Sequence, residues 1–239
     1  MSYLTLPTNP QRVKTSPVSL SPKELRKQRE AEQRRKAIIK VVRKLIRKGG
    51  LGEISLRKVA ELAGFSTTVV YALFEDKATL ITQAMDDDLI ELTRVMREAV
   101  EAAPPGWPQL HAMARAYVAF GRQHPDEYAF VFMQPRPHAP TSAARVRHGD
   151  PAQDPYAFAR QLWQQFADRG LVSGEPADLD LMTQLSWEAL HGHTSRCLVM
   201  GPDDQWVPMG DTDVHLQTLV EVMITGLQAR FQPAGAASA

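Results

Sequence analysis

The segment that decides the fold covers residues 55–80 and reads SLRKVAELAGFSTTVVYALFEDKATL. Its first part begins at Ser55, whose hydroxyl can cap a helix, and carries apolar residues at helical spacing until Gly64. A second hydroxyl, on Ser66, can cap a further helix over residues 67–74. The pattern predicts two short helices joined by a tight glycine turn, which is a helix-turn-helix.

The second of these helices has a surface suited to nucleic acid. Val70 and Phe74 are spaced for packing, whereas the small hydroxyl residues at its start can face outward. The N-terminal residues of such a helix can reach base edges in a major groove, and its backbone amides can meet phosphate. We therefore expect this segment to bind duplex DNA.

The same segment resembles the N-terminal domain of the TetR family of bacterial transcriptional regulators, over roughly residues 34–82. The resemblance implies an all-α fold, with an N-terminal three-helix helix-turn-helix domain and a C-terminal helical bundle for ligand binding and dimerisation. The positions that carry it are Ser55, Val59, Ala60, Ala63, Gly64, Ser66, Val70, Tyr71, Phe74, Lys77 and Leu80.

Charge is divided unevenly along the chain. The net charge is only +1, but residues 1–77 hold 17 Lys and Arg against 7 Asp and Glu, while the remainder holds 11 against 20. All 9 lysines lie in the first part. This separation favours a polyanion-binding N-terminal end and a different role for the rest.

Periodicity and helix-breaking residues divide the chain into four parts. These are a flexible tail (1–21), the helix-turn-helix DNA-binding domain (22–82), a helical effector-binding and dimerisation domain (83–233) and a loose tail (234–239).

The helices expected outside the opening segment follow from apolar stripes and from Pro and Gly stops. The first has a basic beginning with almost no apolar stripe, so this part is expected to fray or to form an arm until DNA neutralises it. A proline-loaded loop is expected over 134–154. The predicted helices are Lys23–Lys48, residues 77 to about 103, Trp107–Gln123, Asp126–Met133, Pro155–Asp168, Ala177–Met200 and Thr212–Phe231.

Three kinds of DNA contact are expected from the family positions. Arg57 stands where the family places a residue that can touch a base, and arginine can donate two hydrogen bonds to guanine; a phosphate contact or a solvated arginine is the alternative. The methyl groups of the residues opening the recognition helix favour contact with thymine methyls. The remaining candidates match phosphate-binding positions, with packing or helix-start roles as alternatives. The DNA-binding candidates are Ser55, Arg57, Thr67, Thr68, Val69, Tyr71 and Lys77.

The C-terminal half offers aromatic side chains in helical settings, and any one of them can be ordinary core instead of cavity wall. One stretch is sharper: SWEALHGHTSRCL resembles the effector-domain signature named after its Trp, His and Gly, found in a subgroup of TetR-like regulators. The resemblance leaves open whether Trp187 and His191 touch ligand or lock helices together. The effector-pocket candidates are Tyr117, Phe120, Tyr128, Phe132, Trp163, Trp187 and His191.

Metal binding, catalysis and membrane insertion are not expected. His193 and Cys197 lie one helical turn apart, but two ligands are too few for a metal site. No phosphate loop or nucleophile with a base is present, so no enzyme activity and no cofactor are predicted. The single cysteine and the lack of a long apolar run or secretory signal favour the cytoplasm.

The combined patterns predict a homodimer that binds a palindromic operator in double-stranded DNA, since one short recognition helix reads few base pairs. The protein is expected to be a repressor released by a small apolar or amphipathic effector. The alternative is an architectural DNA-binding protein that responds to no ligand.

Overall fold

The computed structural model describes residues 21–135, 144–200, 207 and 210–233. In this part of the chain every regular element is a helix, which confirms the all-α prediction. The predicted tails, apart from Ser21, and residues 136–143 of the predicted loop lie outside the described residues. The α-helices are α1 (Pro22–Gly49), α2 (Leu56–Ala63), α3 (Thr67–Leu73), α4 (Lys77–Ala102), α5 (Trp107–Gln123), α6 (Pro125–Phe132), α7 (Pro155–Asp168), α8 (Pro176–Val199) and α9 (Thr212–Arg230).

The helix-turn-helix forms where its capping residues predict it. The Ser55 hydroxyl accepts a hydrogen bond from the amide of Lys58 at 3.2 Å, and the Ser66 hydroxyl accepts one from Val69 at 3.3 Å. Between them Gly64 ends α2 at φ 72°, a left-handed conformation that only glycine adopts easily. Local side-chain chemistry therefore fixes both ends of the turn.

Helix α1 is continuous from its first turn, so of the two forms expected for its beginning, a frayed segment or an arm, the structure shows the arm. Ser21 and Glu24 form a reciprocal capping box, with the Ser21 amide 2.8 Å from the Glu24 carboxylate and the Glu24 amide 3.3 Å from the Ser21 hydroxyl. The first buried side chain is Arg35, so residues 22–34 form a solvated helical arm.

Helix α4 joins two hydrophobic cores. Leu80 and Leu89, nearer its start, pack with α1, α2 and α3 in the N-terminal core, which we call the head core. Leu92 and Met96 pack in the core of the C-terminal bundle, which we call the bundle core. The two parts of the molecule therefore share one rigid element, and the boundary predicted after residue 82 falls inside it.

Helices α5 and α8 approach closely at Gly121. A Cβ atom at this position would lie 2.3 Å from Cγ2 of Thr194 and 3.0 Å from Cδ2 of Tyr128. Because the first distance is far inside van der Waals contact and the second is tight, the close approach of the two helices favours glycine. This crossing holds α5, α6 and α8 at the spacing from which the functional site is built.

Candidate nucleic-acid interface and ligand cavity

Helix α3 presents the predicted recognition residues outward. Thr67 and Thr68 are exposed, Val69 is half-buried, and the Tyr71 ring remains 56% exposed. The helix is held from behind by Val70, which is fully buried in the head core. The surface therefore combines small hydroxyl groups and one phenol on a rigid support.

The other DNA-binding candidates lie around α3, and they differ in whether their side chains already have partners in the protein. Arg57 is exposed on the first turn of α2, and Ser55 is exposed while its hydroxyl caps that helix. The ammonium of Lys77 donates to the carbonyl of Leu51 at 3.0 Å, so it secures the short turn before α2. The ammonium has three N–H donors, so two remain for a phosphate oxygen while that bond is kept.

The arm of α1 lies beside the recognition helix and carries most of its charge as Lys and Arg. Lys27 and Arg34 line a groove with Val69 and Leu73 of α3. The arm thus extends the basic surface beyond the helix-turn-helix itself.

A charge network clamps α1 to α4 beneath this surface. Arg35 is only 6% exposed, and its guanidinium lies 3.1 and 3.2 Å from the two carboxylate oxygens of Asp87 and 3.0 Å from the Gln83 carbonyl. Further along, Arg43 pairs with Asp88, whose burial raises its pKa to about 7 despite the nearby guanidinium. The two ties fix the orientation of α1 on α4.

A cavity of about 430 Å³ opens between α4, α5, α7 and α8. Most of its wall is apolar or aromatic, and its size falls in the usual range for small-molecule sites. The residues that line it are Leu89, Met96, Met113, Tyr117, Phe132, Val146, His148, Asp154, Pro155, Tyr156, Ala159, Thr183, Gln184, Ser186, Trp187 and Leu190.

The structure divides the predicted pocket residues between the cavity wall and the core. Tyr117, Phe132 and Trp187 line the cavity. Phe120 is buried in the bundle core, and Trp163 is completely buried against Trp107 and Phe166 in edge-to-face contacts. Neither contributes to the wall, because the sides of α5 and α7 that carry them face neighbouring helices.

Tyr128 and His191 lie behind the wall in a hydrogen-bonded chain. The hydroxyls of Tyr117 and Tyr128 are 2.9 Å apart, and the Tyr128 hydroxyl is 2.7 Å from Nδ1 of His191. Burial lowers the pKa of His191, which favours a neutral imidazole hydrogen-bonded to the Tyr128 hydroxyl. Trp187 stacks on His191 with the ring centroids 5.4 Å apart. His191 thus joins α5, α6 and α8, while Trp187 also faces the cavity.

The polar groups of the wall are largely satisfied by the protein. The Thr183 and Ser186 hydroxyls donate to backbone carbonyls one turn earlier at 2.7 and 2.6 Å. The Asp154 carboxylate accepts three backbone N–H groups, from Gly149, Tyr156 and Ala157. No lysine or arginine lines this cavity in the described part of the chain.

Several residues of the cavity wall were not among those predicted from the sequence. Leu89 and Met96 resemble any core residue of a long helix, and Val146 and His148 lie in a segment that the sequence predicted only as loop. Asp154 is the one weak indication in the sequence. An aspartate before a proline is typical of a helix N-cap, so it predicts that the loop ends at the start of α7.

His193 is a core residue of the α8–α9 contact. It is 4% exposed, neither ring nitrogen has a hydrogen-bond partner, and burial lowers its pKa to about 4. Its ring packs edge-to-face on that of His215. Within the described ranges no three His, Cys, Asp or Glu side chains are grouped to hold a metal ion.

None of the helices that the structure describes is long and apolar enough to cross a membrane.

Comparison with known proteins places this geometry in a family. Residues 110–227 match the family described as tetracyclin repressor-like, C-terminal domain. No curated protein is significantly similar to the chain in sequence.

Solved structures share the fold at low sequence identity. A putative transcriptional regulator from Pseudomonas aeruginosa PAO1 is 20% identical, with 84% of this chain and 95% of that chain covered at a TM-score of 0.64. A TetR family transcription regulator from Marinobacter aquaeolei VT8 is 18% identical, with coverage of 84% and 98% and a TM-score of 0.62. A TetR/AcrR family regulator from Thermobifida fusca YX-ER1 is 15% identical, with coverage of 81% and 98% and a TM-score of 0.56. The matched C-terminal domain, joined to a helix-turn-helix head in this shared fold, identifies the chain as a member of the TetR family of transcriptional regulators.

Proposed function

We propose that the protein is a homodimeric cytoplasmic repressor that binds a palindromic operator and is released from it by a small neutral apolar molecule. The observation that carries this proposal is the continuity of α4, which packs in the head core at one end and lines the cavity with Leu89 and Met96. A ligand in the cavity therefore contacts the element that supports the recognition helix.

The recognition surface supports sequence-specific binding. Arg57 is free to reach a guanine edge, and the methyl groups of Thr67, Thr68 and Val69 suit thymine. Tyr71, Ser55 and Lys77 suit phosphate oxygens, which position the head without reading sequence. The arm of α1 adds cations whose counterion release makes the affinity depend strongly on salt.

Helices α8 and α9 support a dimer. Both carry large apolar side chains on their outer faces as well as toward the bundle core, and exposed surface of this kind usually marks a contact between proteins. A twofold pair of heads would then read two half-sites about one helical turn of DNA apart. The exposed apolar residues of these two helices are Leu181, Leu185, Trp187, Val199, Val214 and Val222.

The wall of the cavity favours a neutral ligand. Among the described wall residues, a buried carboxylate on the ligand would find no Lys or Arg partner, and a buried ammonium would find only Asp154, whose oxygens already accept three backbone N–H groups. The His148 imidazole and the Gln184 amide remain as hydrogen-bonding groups. The best fit is an apolar or aromatic body with one uncharged polar group.

Release requires a difference in ligand affinity between two states. If the ligand favours the DNA-incompetent arrangement by about 3 kcal/mol, operator affinity falls roughly a hundredfold. Tight binding alone changes nothing when both arrangements bind the ligand equally.

Selection of genomic fragments by the purified protein tests the DNA-binding part of this proposal. We expect enrichment of an inverted repeat, which Arg57→Ala weakens by about tenfold or more at one base position. Arg115→Ala, which removes the same charge from an exposed site on α5, serves as the matched control and leaves affinity unchanged. Equal affinity for every duplex would instead support the architectural role.

A further inference from the structure

Residues 144–154 form a strap that follows one face of α4. The Thr93 hydroxyl shares its proton between the Leu89 carbonyl at 2.8 Å and the Gln153 carbonyl at 3.0 Å, and Arg97 donates to the Pro151 carbonyl at 2.5 Å. The third attachment is Asp86, which accepts the backbone N–H of Arg145 at 2.6 Å. Positions 93 and 97 follow position 86 by seven and eleven residues, so the three share a helix face and hold the strap along about three turns.

Val146 places the strap in two environments at once. Its side chain is 3% exposed, packs in the head core with Leu89, and also lines the cavity. The next wall residue, His148, belongs to the strap too. An occupant of the cavity therefore touches the strap at a point where the strap is already part of the head.

Arg145 connects the same strap to α1. Its guanidinium lies 3.5 Å from the Glu32 carboxylate on α1 and 3.9 Å from the Asp87 carboxylate on α4. Arg35, the clamp between α1 and α4, lies 3.7 Å from Glu32 and 3.1 Å from Asp87. Arg145 thus forms a charge cluster with Glu32, Arg35 and Asp87, and this cluster contributes to the orientation of α1.

The Asp86 carboxylate makes the strap move as a unit at this end. It is 2% exposed and accepts from the backbone N–H groups of both Arg145 and Val146, at 2.6 and 3.4 Å. A shift of Val146 that broke these bonds would leave a buried carboxylate and a buried N–H without partners. A ligand that displaces Val146 is therefore expected to displace Arg145 with it, because both backbone N–H groups are bound to the same carboxylate.

We propose that the strap transmits occupancy of the cavity to the DNA-binding head, with Val146 as the input and the Arg145 contacts to Glu32 and Asp87 as the output. This inference rests on the proposed function, because it supplies the route by which that ligand site acts. In it the response of α1 to ligand passes through the Arg145 side chain.

Hydrogen exchange of the full-length protein without DNA tests this route. The occupant is N-phenyl-1-naphthylamine, a neutral apolar probe whose fluorescence reports its binding. Exchange is followed in peptides from the strap and from residues 32–42 of α1, in the wild type, in Arg145→Ala and in Arg147→Ala. Arg147 is a matched control because it is an exposed strap arginine whose carboxylate partner, Asp150, lies in the strap itself.

In the wild type and in Arg147→Ala we expect the probe to change exchange in both the strap and α1, by about two- to fivefold in α1 given that the pairs are partly solvated. In Arg145→Ala the probe should bind with the same affinity and still affect the strap, but the response of α1 should be lost. An α1 response that persists in Arg145→Ala, or one absent from the wild type with the cavity filled, overturns the proposal.

If the probe does not bind, a substitution that fills the cavity replaces it in the test. Ala159 lines the cavity, so Ala159→Trp places an indole there. Hydrogen exchange in the strap and in α1 is then compared between Ala159→Trp and Ala159→Trp/Arg145→Ala, and the α1 response should again require Arg145. None of these measurements uses DNA. Failure of the strap is therefore separate from failure of operator selection, which concerns the proposed function.

Discussion

Gly121→Ala tests the helix crossing that builds the functional site. The added methyl carbon would lie 2.3 Å from Cγ2 of Thr194, well inside contact distance. Thr194 cannot easily turn away, because its hydroxyl donates to the Leu190 carbonyl at 2.8 Å. The Tyr128 ring, 3.0 Å from the same carbon, is held through its hydroxyl by Tyr117 and His191. The helices must therefore separate.

The expected magnitude follows from two opposing effects. Overpacking of this severity costs about 3 kcal/mol, and replacing a helical glycine by alanine returns about 1 kcal/mol. We expect a net loss of about 2 kcal/mol in the free energy of unfolding, or a Tm lower by about 4–8 °C.

Urea denaturation at fixed protein concentration measures the change, with Gly192→Ala as the matched control. A Cβ atom at Gly192 meets no atom within 4 Å, so this variant should be stabilised by up to about 1 kcal/mol. Thr194→Ser keeps the hydroxyl but removes Cγ2. The double variant Gly121→Ala/Thr194→Ser should therefore recover part of the loss in a double-mutant cycle.

The reasoning is refuted if Gly121→Ala is as stable as Gly192→Ala, or if Thr194→Ser leaves the loss unchanged. Either result would mean that α5 and α8 do not approach as closely as the structure shows.

Two further predictions concern stability and assembly. Burial raises the pKa of Asp88 from 3.8 to about 7, so between about pH 4 and pH 7 the folded protein holds a proton that the unfolded chain has lost, and stability falls as pH rises through that window. Asp88→Asn should remove this part of the slope when urea midpoints are compared at about pH 5 and about pH 7.5; an unchanged slope would assign it to other groups. Val222→Asp places a charge on the exposed apolar face of α9; sedimentation velocity should show monomer, with a dimer Kd raised about a hundredfold, whereas Val222→Thr should remain dimeric. An intact Val222→Asp dimer would place the interface elsewhere.

Local determinants explain why the helix bounds could be predicted from sequence. Ser55, Gly64, Ser66 and Asp76 act within a turn of their own position, and the structure places each as a cap of α2, α3 or α4. The start of α1 has almost no apolar stripe, which left a frayed segment or an arm as the expectation; the capping box of Ser21 and Glu24 holds it as a helical arm.

The cavity was harder to predict because it depends on which faces of several helices meet. Tyr117 and Phe120 are three residues apart on α5, yet only Tyr117 lines the cavity. Leu89 and Val146 come together from positions far apart in the chain. Amphipathic periodicity identifies a buried face but does not say whether that face meets another side chain or an opening.

The strap lay beyond sequence reasoning for a related reason. Its attachments are mostly backbone groups of residues 145–153, and any residue type can provide those. The partners on α4 are the side chains of Asp86, Thr93 and Arg97, and polar side chains on a long charged helix are ordinarily solvated.

The hydrogen-bonded chain of Tyr117, Tyr128 and His191 holds the helices of the bundle together, whereas other residues of the cavity wall determine which compound fits. Because its members satisfy one another, the helix arrangement does not rely on the contents of the opening beside it. Exchanges at Met96 or Ala159 can reshape the opening while the chain stays intact. Under the proposed function, descendants should therefore acquire new inducers after gene duplication by altering such positions, and a library randomised there should yield switched responses without loss of solubility.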